Sequence, residues 1–506
     1  MLAAAIAVGS TLQAVSAKSF PPLGPVLPAP RFPSKGDLVK EVVEGLRAQL
    51  DQTLGVSINA SGISIGVKSI HEKDDIFSYH FTPSVMTDIG TDNIDENTIY
   101  RVGSVSKLFP AVIALQLGID LDASVLEFLP ELGENSDGDV IETIQWKDIS
   151  AGSLMSHLSG LPTETSMDLT ILVDYPWTKK GLPKVPRDEA AKCSGLYDTK
   201  PCGTAELIDA LKRSHSVWLL NSSPVYYNTG FAVLALVIEA VTVEKFEDLV
   251  QERIFDVLEM DSTSFSGPVE AFNTHGFVPV TDDTWNITLG VDEPDILAFM
   301  EAVASNILLS PVETRKWLKR QSNTTSLSQS VGSPWEILRS DTLTSDKRVV
   351  DVYTKSGALG LYNALVGIIP DYDIIFSVMA GGPEVYLNPF SLSQLASTVI
   401  TNLVPAIEEA GRVEASISAA GIYIDKTTKS TLELELGDGP GLRVKRLNMR
   451  GYNALSDISS YSLQAAAMEL SSGIDILEVP VIVRLYPTDI TNEHGNTGNS
   501  TAEILW

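Results

Sequence analysis

The chain has 506 residues, 44% of them hydrophobic and 7% aromatic. That is ample for a full core and long for one ordinary domain; about 150 residues per domain suggests two to three. Lys and Arg number 36 against 65 Asp and Glu, a formal net charge of -29, and such a surface repels phosphate backbones and anionic headgroups. Nucleic-acid and membrane-surface partners are therefore not expected.

The opening stretch "MLAAAIAVGSTLQAVSA" (1–17) is apolar and ends in the small residues Val15-Ser16-Ala17. It reads as a secretory leader with a cleavage site, although it lacks the positive n-region of a standard one; the alternative is a retained N-terminal helix. Residues 18–34 carry Pro21, Pro22, Pro25, Pro28, Pro30 and Pro33 and read as an extended linker. No apolar stretch of 18 or more residues follows, so no membrane-spanning helix is expected. Sequons at Asn59, Asn221, Asn286, Asn323 and Asn499 agree with an extracellular destination.

Next, Leu38, Val42, Leu46 and Leu50 recur every fourth residue, which predicts an amphipathic helix from about Lys35. "ISIGVKSI" (63–70) and "IFSYHFTP" (76–83) predict two strands around a charged turn. Ser104 to Gly118 reads as a helix with Leu108 and Val112 on its apolar face. Pro110 should kink that helix unless it falls in the first turn.

Residues 120 to 340 mix short helical stretches with Pro/Gly-rich loops and read as a helical insertion. Within it lie the only cysteines, Cys193 and Cys202. In an oxidising compartment these would form a disulfide; a metal pair is the weaker alternative, since the six histidines are scattered without HExxH and no metal site is legible. Trp177, Trp218, Trp285 and Trp317 could line a cleft, but core positions are favoured.

Strand patterns resume at 349–359, 362–370 and 374–382, followed by a helix over about 389–410. An N-terminal helix and strands, a helical insertion, then more strands and a helix imply a split α/β (α+β) domain over 35–410, with an antiparallel sheet flanked by helices. Residues 413–506 alternate apolar and polar residues around Gly-rich turns and predict a small C-terminal β domain, a sandwich or partly closed barrel.

Three segments carry chemistry. "RVGSVSKLF" (101–109) places Ser104 three residues before Lys107, one helical turn apart. "PVYYNTGF" puts Tyr226-Tyr227-Asn228 ahead of an apolar helical run, where Asn228 could equally cap a helix. "YTKSGALGLYN" places Lys355-Ser356-Gly357-Ala358 in a predicted strand. Each has a plain structural reading in isolation. In this order, Ser-x-x-Lys, Tyr-x-Asn and Lys-Ser-Gly resemble the active-site serine β-lactamases and penicillin-binding proteins, on the branch of class C β-lactamases, esterases and D-aminopeptidases. The stretches "GIDLDASVLEFLPEL", "SLMSHLSGLP" (153–162) and "VLEMDSTSF" (257–265) extend the resemblance over about residues 36 to 405. The C-terminal β region resembles additions on fungal secreted members.

The resemblance implies a β-lactamase/transpeptidase-like fold and a covalent acyl-enzyme on Ser104. Lys107 and Tyr226 would serve as base, with the two ammonium groups of Lys107 and Lys355 biasing Tyr226 toward phenolate. Asn228, Lys355, Ser356, Gly357 and Ala358 would bind substrate, with the N–H groups of Ser104 and Ala358 as the oxyanion hole. His157, within "SHLSGLP", would be structural. Ser356 replaces a family threonine, and Ala358 stands where true β-lactamases often carry Ser or Thr, which argues against efficient β-lactam turnover. The implied function is a secreted serine hydrolase of small esters, amides or lactones. It needs no cofactor, and its partner is a small-molecule acyl substrate. Acyl transfer to a secondary metabolite, or acyl binding without turnover, are the alternatives.

Overall fold

The computed structural model describes residues 21–488, apart from residues 22 and 201 and the segments 136–138, 166–171, 173–174, 187–192, 194–199, 266–271, 281–289, 388–391, 462–466, 468–469 and 472–481. The leader, Trp285, Asn286 and Asn499 thus lie outside the described residues.

The first helix, α1 (Asp37–Ser57), buries Val39, Leu46, Leu50 and Leu54, a stripe of nearly four-residue spacing. It is followed by a hairpin, β1 (Gly62–Ser69) and β2 (Phe77–Phe81), in antiparallel register with Gly66 opposite Ser78. Three strands, β3 (Ser322–Asn323), β4 (Gln329–Val331) and β5 (Glu336–Ser340), lie inside the stretch 120–340 read as a helical insertion, which corrects its end; each is too short to show an alternating pattern. They are followed by β6 (Val350–Leu359), β7 (Tyr362–Ile369) and β8 (Ile374–Gly381). The eight strands form one antiparallel sheet in the order β2-β1-β8-β7-β6-β5-β4-β3. Strand β1 pairs with β8, so the two halves of the split domain close on each other across the insertion, as the sequence pattern implies.

Both faces of this sheet are covered. One face packs Ile65, Val352 and Phe376 with α1 and a long C-terminal helix. The other packs Tyr353, Val366 and Ile375 against the inserted helices. Strand β8 lies between two paired neighbours and under both layers, and every residue in it is buried.

The stretch from Ser104 is not one amphipathic helix. A 3₁₀ turn over Gly103–Lys107 precedes α2 (Leu108–Gln116), and Leu108 to Ala114 are all buried. This helix is apolar all round because it runs through the core. Pro110 is its third residue, within the first turn, where the missing N–H has no intrahelical acceptor to lose. The kink is thereby avoided.

The long helix runs from Leu392 to Ser418 and so continues through the 410–413 junction. Beyond it, the described C-terminal strands form a single five-stranded antiparallel sheet. Among the described residues no second sheet faces it. Its apolar side, with Leu434, Leu442 and Val444, is covered by Ala415 and Ala419 of the helix and by Val26 and Leu27. The Pro-rich segment is likewise no free linker: Val26, Leu27, Pro30 and Pro33 are buried, and the N–H groups of Arg31 and Phe32 donate to Glu414 at 2.8 and 3.0 Å.

A buried ion network ties this helix to the sheet. Arg348, just before β6, donates to Glu408 at 2.6 Å, to Asp346 at 3.1 Å and to the Tyr372 hydroxyl at 2.8 Å. Removing one member strands a buried charge. Glu408→Ala is accordingly expected to lower stability by about 3–5 kcal/mol, read as a lower urea midpoint with an unchanged slope.

Cys193 and Cys202 form a disulfide with Cα atoms 4.8 Å apart. Trp317 is buried against Trp335. Trp218 is half exposed and Trp177 lies in a surface 3₁₀ turn with no buried residue, which corrects the core expectation for these two. Among the described residues no helix is long and apolar enough to cross a membrane.

Candidate active site

The 3₁₀ turn holds Ser104 and Lys107 one turn apart, and Lys107 Nζ lies 2.9 Å from Ser104 Oγ. The turn is wedged against β6. Gly103 has φ +50°, and a Cβ there would lie 2.8 Å from the nitrogen of Ala358. A Cβ at Gly357 would lie 2.0 Å from Val102 O and 2.7 Å from Ser104 N. Two backbones can approach this closely only because both positions lack a side chain. The backbone at Ser104 is thereby set against Gly357 and Ala358, the neighbourhood expected of an oxyanion hole.

Tyr226 comes from the residues leading into α3 (Thr229–Thr242). The segment is tied down by Val225 N donating to His157 O at 2.9 Å and Asn228 N to Thr163 O at 2.9 Å. Tyr227 is fully buried, and its hydroxyl lies 2.8 Å from Ser153 O. Its neighbour Tyr226 turns the other way, and its hydroxyl reaches Ser104 Oγ at 2.5 Å. Asn228 is the N-cap residue of α3 but makes no side-chain cap. Its Oδ1 accepts from Lys107 Nζ at 2.5 Å instead, and its Nδ2 donates to Glu164.

Lys355 is fully buried because strand alternation on β6 points it, with Tyr353, toward the inserted helices. Ser356 and Ala358 are exposed. Nζ of Lys355 lies 5.5 Å from the Tyr226 ring centre and Nζ of Lys107 lies 5.0 Å from it. Ser104, Lys107, Tyr226, Asn228, Lys355 and the Gly357–Ala358 backbone therefore meet in one place, while Tyr227 is turned into the core.

The electrostatics divide the proton-handling groups. Burial, reinforced by the nearby Lys355 charge, pulls the Lys107 amine down to about 7. Tyr226 moves the other way: burial pushes its phenol up, and Glu336 and Glu164 add to the rise. The direction is opposite to the expected bias toward phenolate: burial and the two carboxylates outweigh the hydrogen bond to Ser104. His157 sits against Tyr226, Tyr227 and Phe231, and burial followed by the two lysines pulls it down to about 3. It is a neutral ring that accepts from Tyr227 N at 3.3 Å, in line with a structural role.

Two site residues escaped the sequence reading, Glu164 and Glu336. Glu164 joins through Asn228. Glu336 opens β5 opposite Thr354, which sets its carboxylate beside Lys355 at 2.5 Å. No spacing rule signals such a pairing; only strand register creates it.

A family model described as Beta-lactamase matches residues 80–386, more than half of the chain. The chain belongs to the β-lactamase family. A second model, described as a beta-lactamase-like-like C-terminal domain, matches residues 411–505 of this family member. It is 27% identical over 474 residues to a beta-lactamase-like protein of Arthroderma benhamiae, covering 86% of this chain and 77% of that one. It is 25% identical over 436 residues to a probable hydrolase of Cochliobolus lunatus, covering 79% and 68%. Among solved structures, a β-lactamase/D-alanine carboxypeptidase from Yersinia pestis aligns with TM-score 0.52 and 14% identity, over 73% of this chain and 99% of that one. The octameric penicillin-binding protein homologue from Pyrococcus abyssi aligns with TM-score 0.51 and 17% identity, over 80% and 88%. These two likenesses show the β-lactamase fold, and the family is one of hydrolases.

Proposed function

We propose that this protein is a serine hydrolase that cleaves a small ester, amide or lactone through an acyl-enzyme on Ser104. The observation that carries the reading is one hydroxyl, Ser104 Oγ, held 2.9 Å from the Lys107 amine and 2.5 Å from the Tyr226 phenol. A serine hydroxyl needs a neighbouring base to become a nucleophile. Lys107, with a value near 7, has a large neutral fraction at neutral pH and can take that proton.

As Ser104 Oγ attacks the substrate carbonyl, its proton passes to Lys107, and the developing oxyanion faces the N–H groups of Ser104 and Ala358. Tyr226, kept protonated, gives its proton to the leaving oxygen or nitrogen as the tetrahedral centre collapses. Lys107 then returns its proton to the phenolate, which restores the starting charges. Water attacks the acyl-enzyme with its proton drawn to Lys107, Ser104 leaves with a proton from Tyr226, and Lys107 again returns its proton to the phenolate. Asn228 holds the Lys107 amine in line throughout.

An extracellular setting is part of this proposal. It is supported by the Cys193–Cys202 disulfide and by the exposure of Asn59, Asn221 and Asn323, each available to a glycan.

The test is a fluorophosphonate probe with peptide mapping, run beside p-nitrophenyl ester hydrolysis. The expected result is one covalent adduct per chain, on the peptide that contains Ser104, with ester turnover lost in step. Absence of both labelling and turnover would overturn the hydrolase reading. Labelling by an acyl substrate without release would indicate an acyl-binding protein, and preferential release to an added alcohol or amine a transferase.

A further inference from the structure

Resting on the hydrolase reading, the occupancy of the Lys355 subsite narrows the substrate class. The resemblance implies that Lys355 and Ser356 hold a substrate carboxylate or polar group. In this chain a carboxylate is already there. Glu336 Oε1 accepts from Lys355 Nζ at 2.5 Å and from the Ser356 hydroxyl at 3.0 Å, and Oε2 accepts from Ser356 N at 3.0 Å. A second Lys355 hydrogen bond goes to the Ser356 carbonyl at 2.7 Å.

The position is built, not incidental. The register that pairs Glu336 with Thr354 is the last between β5 and β6, so β6 runs on past the end of its neighbour. The Ser356 N–H lies just beyond the paired stretch, and the Glu336 carboxylate takes it up. Lys355 is fully buried, so its charge needs a close partner. Meanwhile Glu164 stands against Asn228 on the Lys107 side. The cleft therefore sets two carboxylates against its two lysines, on a chain of net charge -29.

We infer that Glu336 fills the carboxylate subsite with the protein's own acid and restricts the enzyme to acyl substrates carrying no negative charge beside the reacting carbonyl. An anionic substrate would have to displace Glu336 from three donors and then lie against it. Neutral esters, amides and lactones meet no such opposition. By the same arrangement, penicillins and peptides ending in a free carboxylate are expected to be poor substrates.

The test compares p-nitrophenyl monoesters of straight-chain diacids, glutaric to suberic, with the corresponding monoamides. Each pair differs in one charge, and the series removes reach as a variable. Wild type should favour the amide over the acid by about tenfold or more in kcat/KM. Glu336→Gln and Glu336→Ala should shrink that preference by about the same factor or reverse it, because Lys355 regains an anion-binding role. The ratio is taken within one preparation, so a variant that folds in low yield still reports. Equal use of acids and amides by wild type overturns the inference, as does a preference that survives in both variants. Fluorophosphonate labelling of Ser104, run on each preparation, separates the two failures. Labelled enzyme with the wrong ratio sinks only the role of Glu336; no labelling and no turnover sink the hydrolase reading and this inference with it.

Discussion

Lys107→Met is expected to lower kcat/KM for a neutral p-nitrophenyl ester by about 10³–10⁴-fold at pH 8. Methionine fills much of the same volume and keeps the apolar stem, so the core around α2 stays packed. What disappears is the amine within 2.9 Å of Ser104 Oγ. The pH profile distinguishes this from a loss of packing. In wild type only the neutral amine accepts a proton, so the rate should rise about tenfold per pH unit below about 7 and flatten above it. The sign follows from burial, with help from Lys355: both disfavour the ammonium form and draw the working range down from the ordinary lysine value of 10.5. In Lys107→Met the limb near 7 should vanish from the residual rate. Were a Tyr226 phenolate the base instead, the limb would lie above the ordinary phenol value of 10, and Lys107→Met would leave its shape intact.

Much of this site was legible in the sequence because its signals are local. Ser104 and Lys107 sit on one turn whatever the turn type, and the difference between an α-helix and the observed 3₁₀ turn does not change which residue faces which. The choice of Tyr226 over Tyr227 comes from the resemblance, and the residues alone do not show what turns the two apart. That turning follows from the strapping of the segment by His157 and Thr163, which come from 60 to 70 positions upstream. The direction of the Tyr226 shift differs from the expected one for a related reason. Counting its lysine neighbours gives one sign; burial and the two glutamates that arrive from other segments give the opposite one.

Tertiary placement also explains the remaining differences in the fold. The Pro-rich segment has the composition of a spacer, yet it is held by Glu414 and by the apolar side of the C-terminal sheet. Trp218 lies in an exposed loop despite its apolar bulk. Polyproline composition and aromatic character describe what a segment can do alone; which surface it meets depends on the register and length of elements elsewhere.

The second large effect lies in the backbone rather than in a titrating group. Gly357→Ala is expected to reduce kcat by about 10²–10³-fold, the scale of losing one oxyanion donor, with KM for a neutral ester little changed. The added Cβ would sit 2.0 Å from Val102 O, 2.7 Å from Ser104 N and 2.8 Å from Val105 N. All three neighbours are backbone, so no side chain can swing aside; β6 and the 3₁₀ turn must separate. Ser104 N and Ala358 then lose the spacing that lets both address one oxygen. The same separation costs about 1–3 kcal/mol of packing, which a urea titration measures on the same protein. A purely structural role for Gly357 would lower stability and leave kcat per labelled Ser104 unaltered. A role in aligning the oxyanion donors lowers kcat per labelled Ser104 even at temperatures where the variant is fully folded.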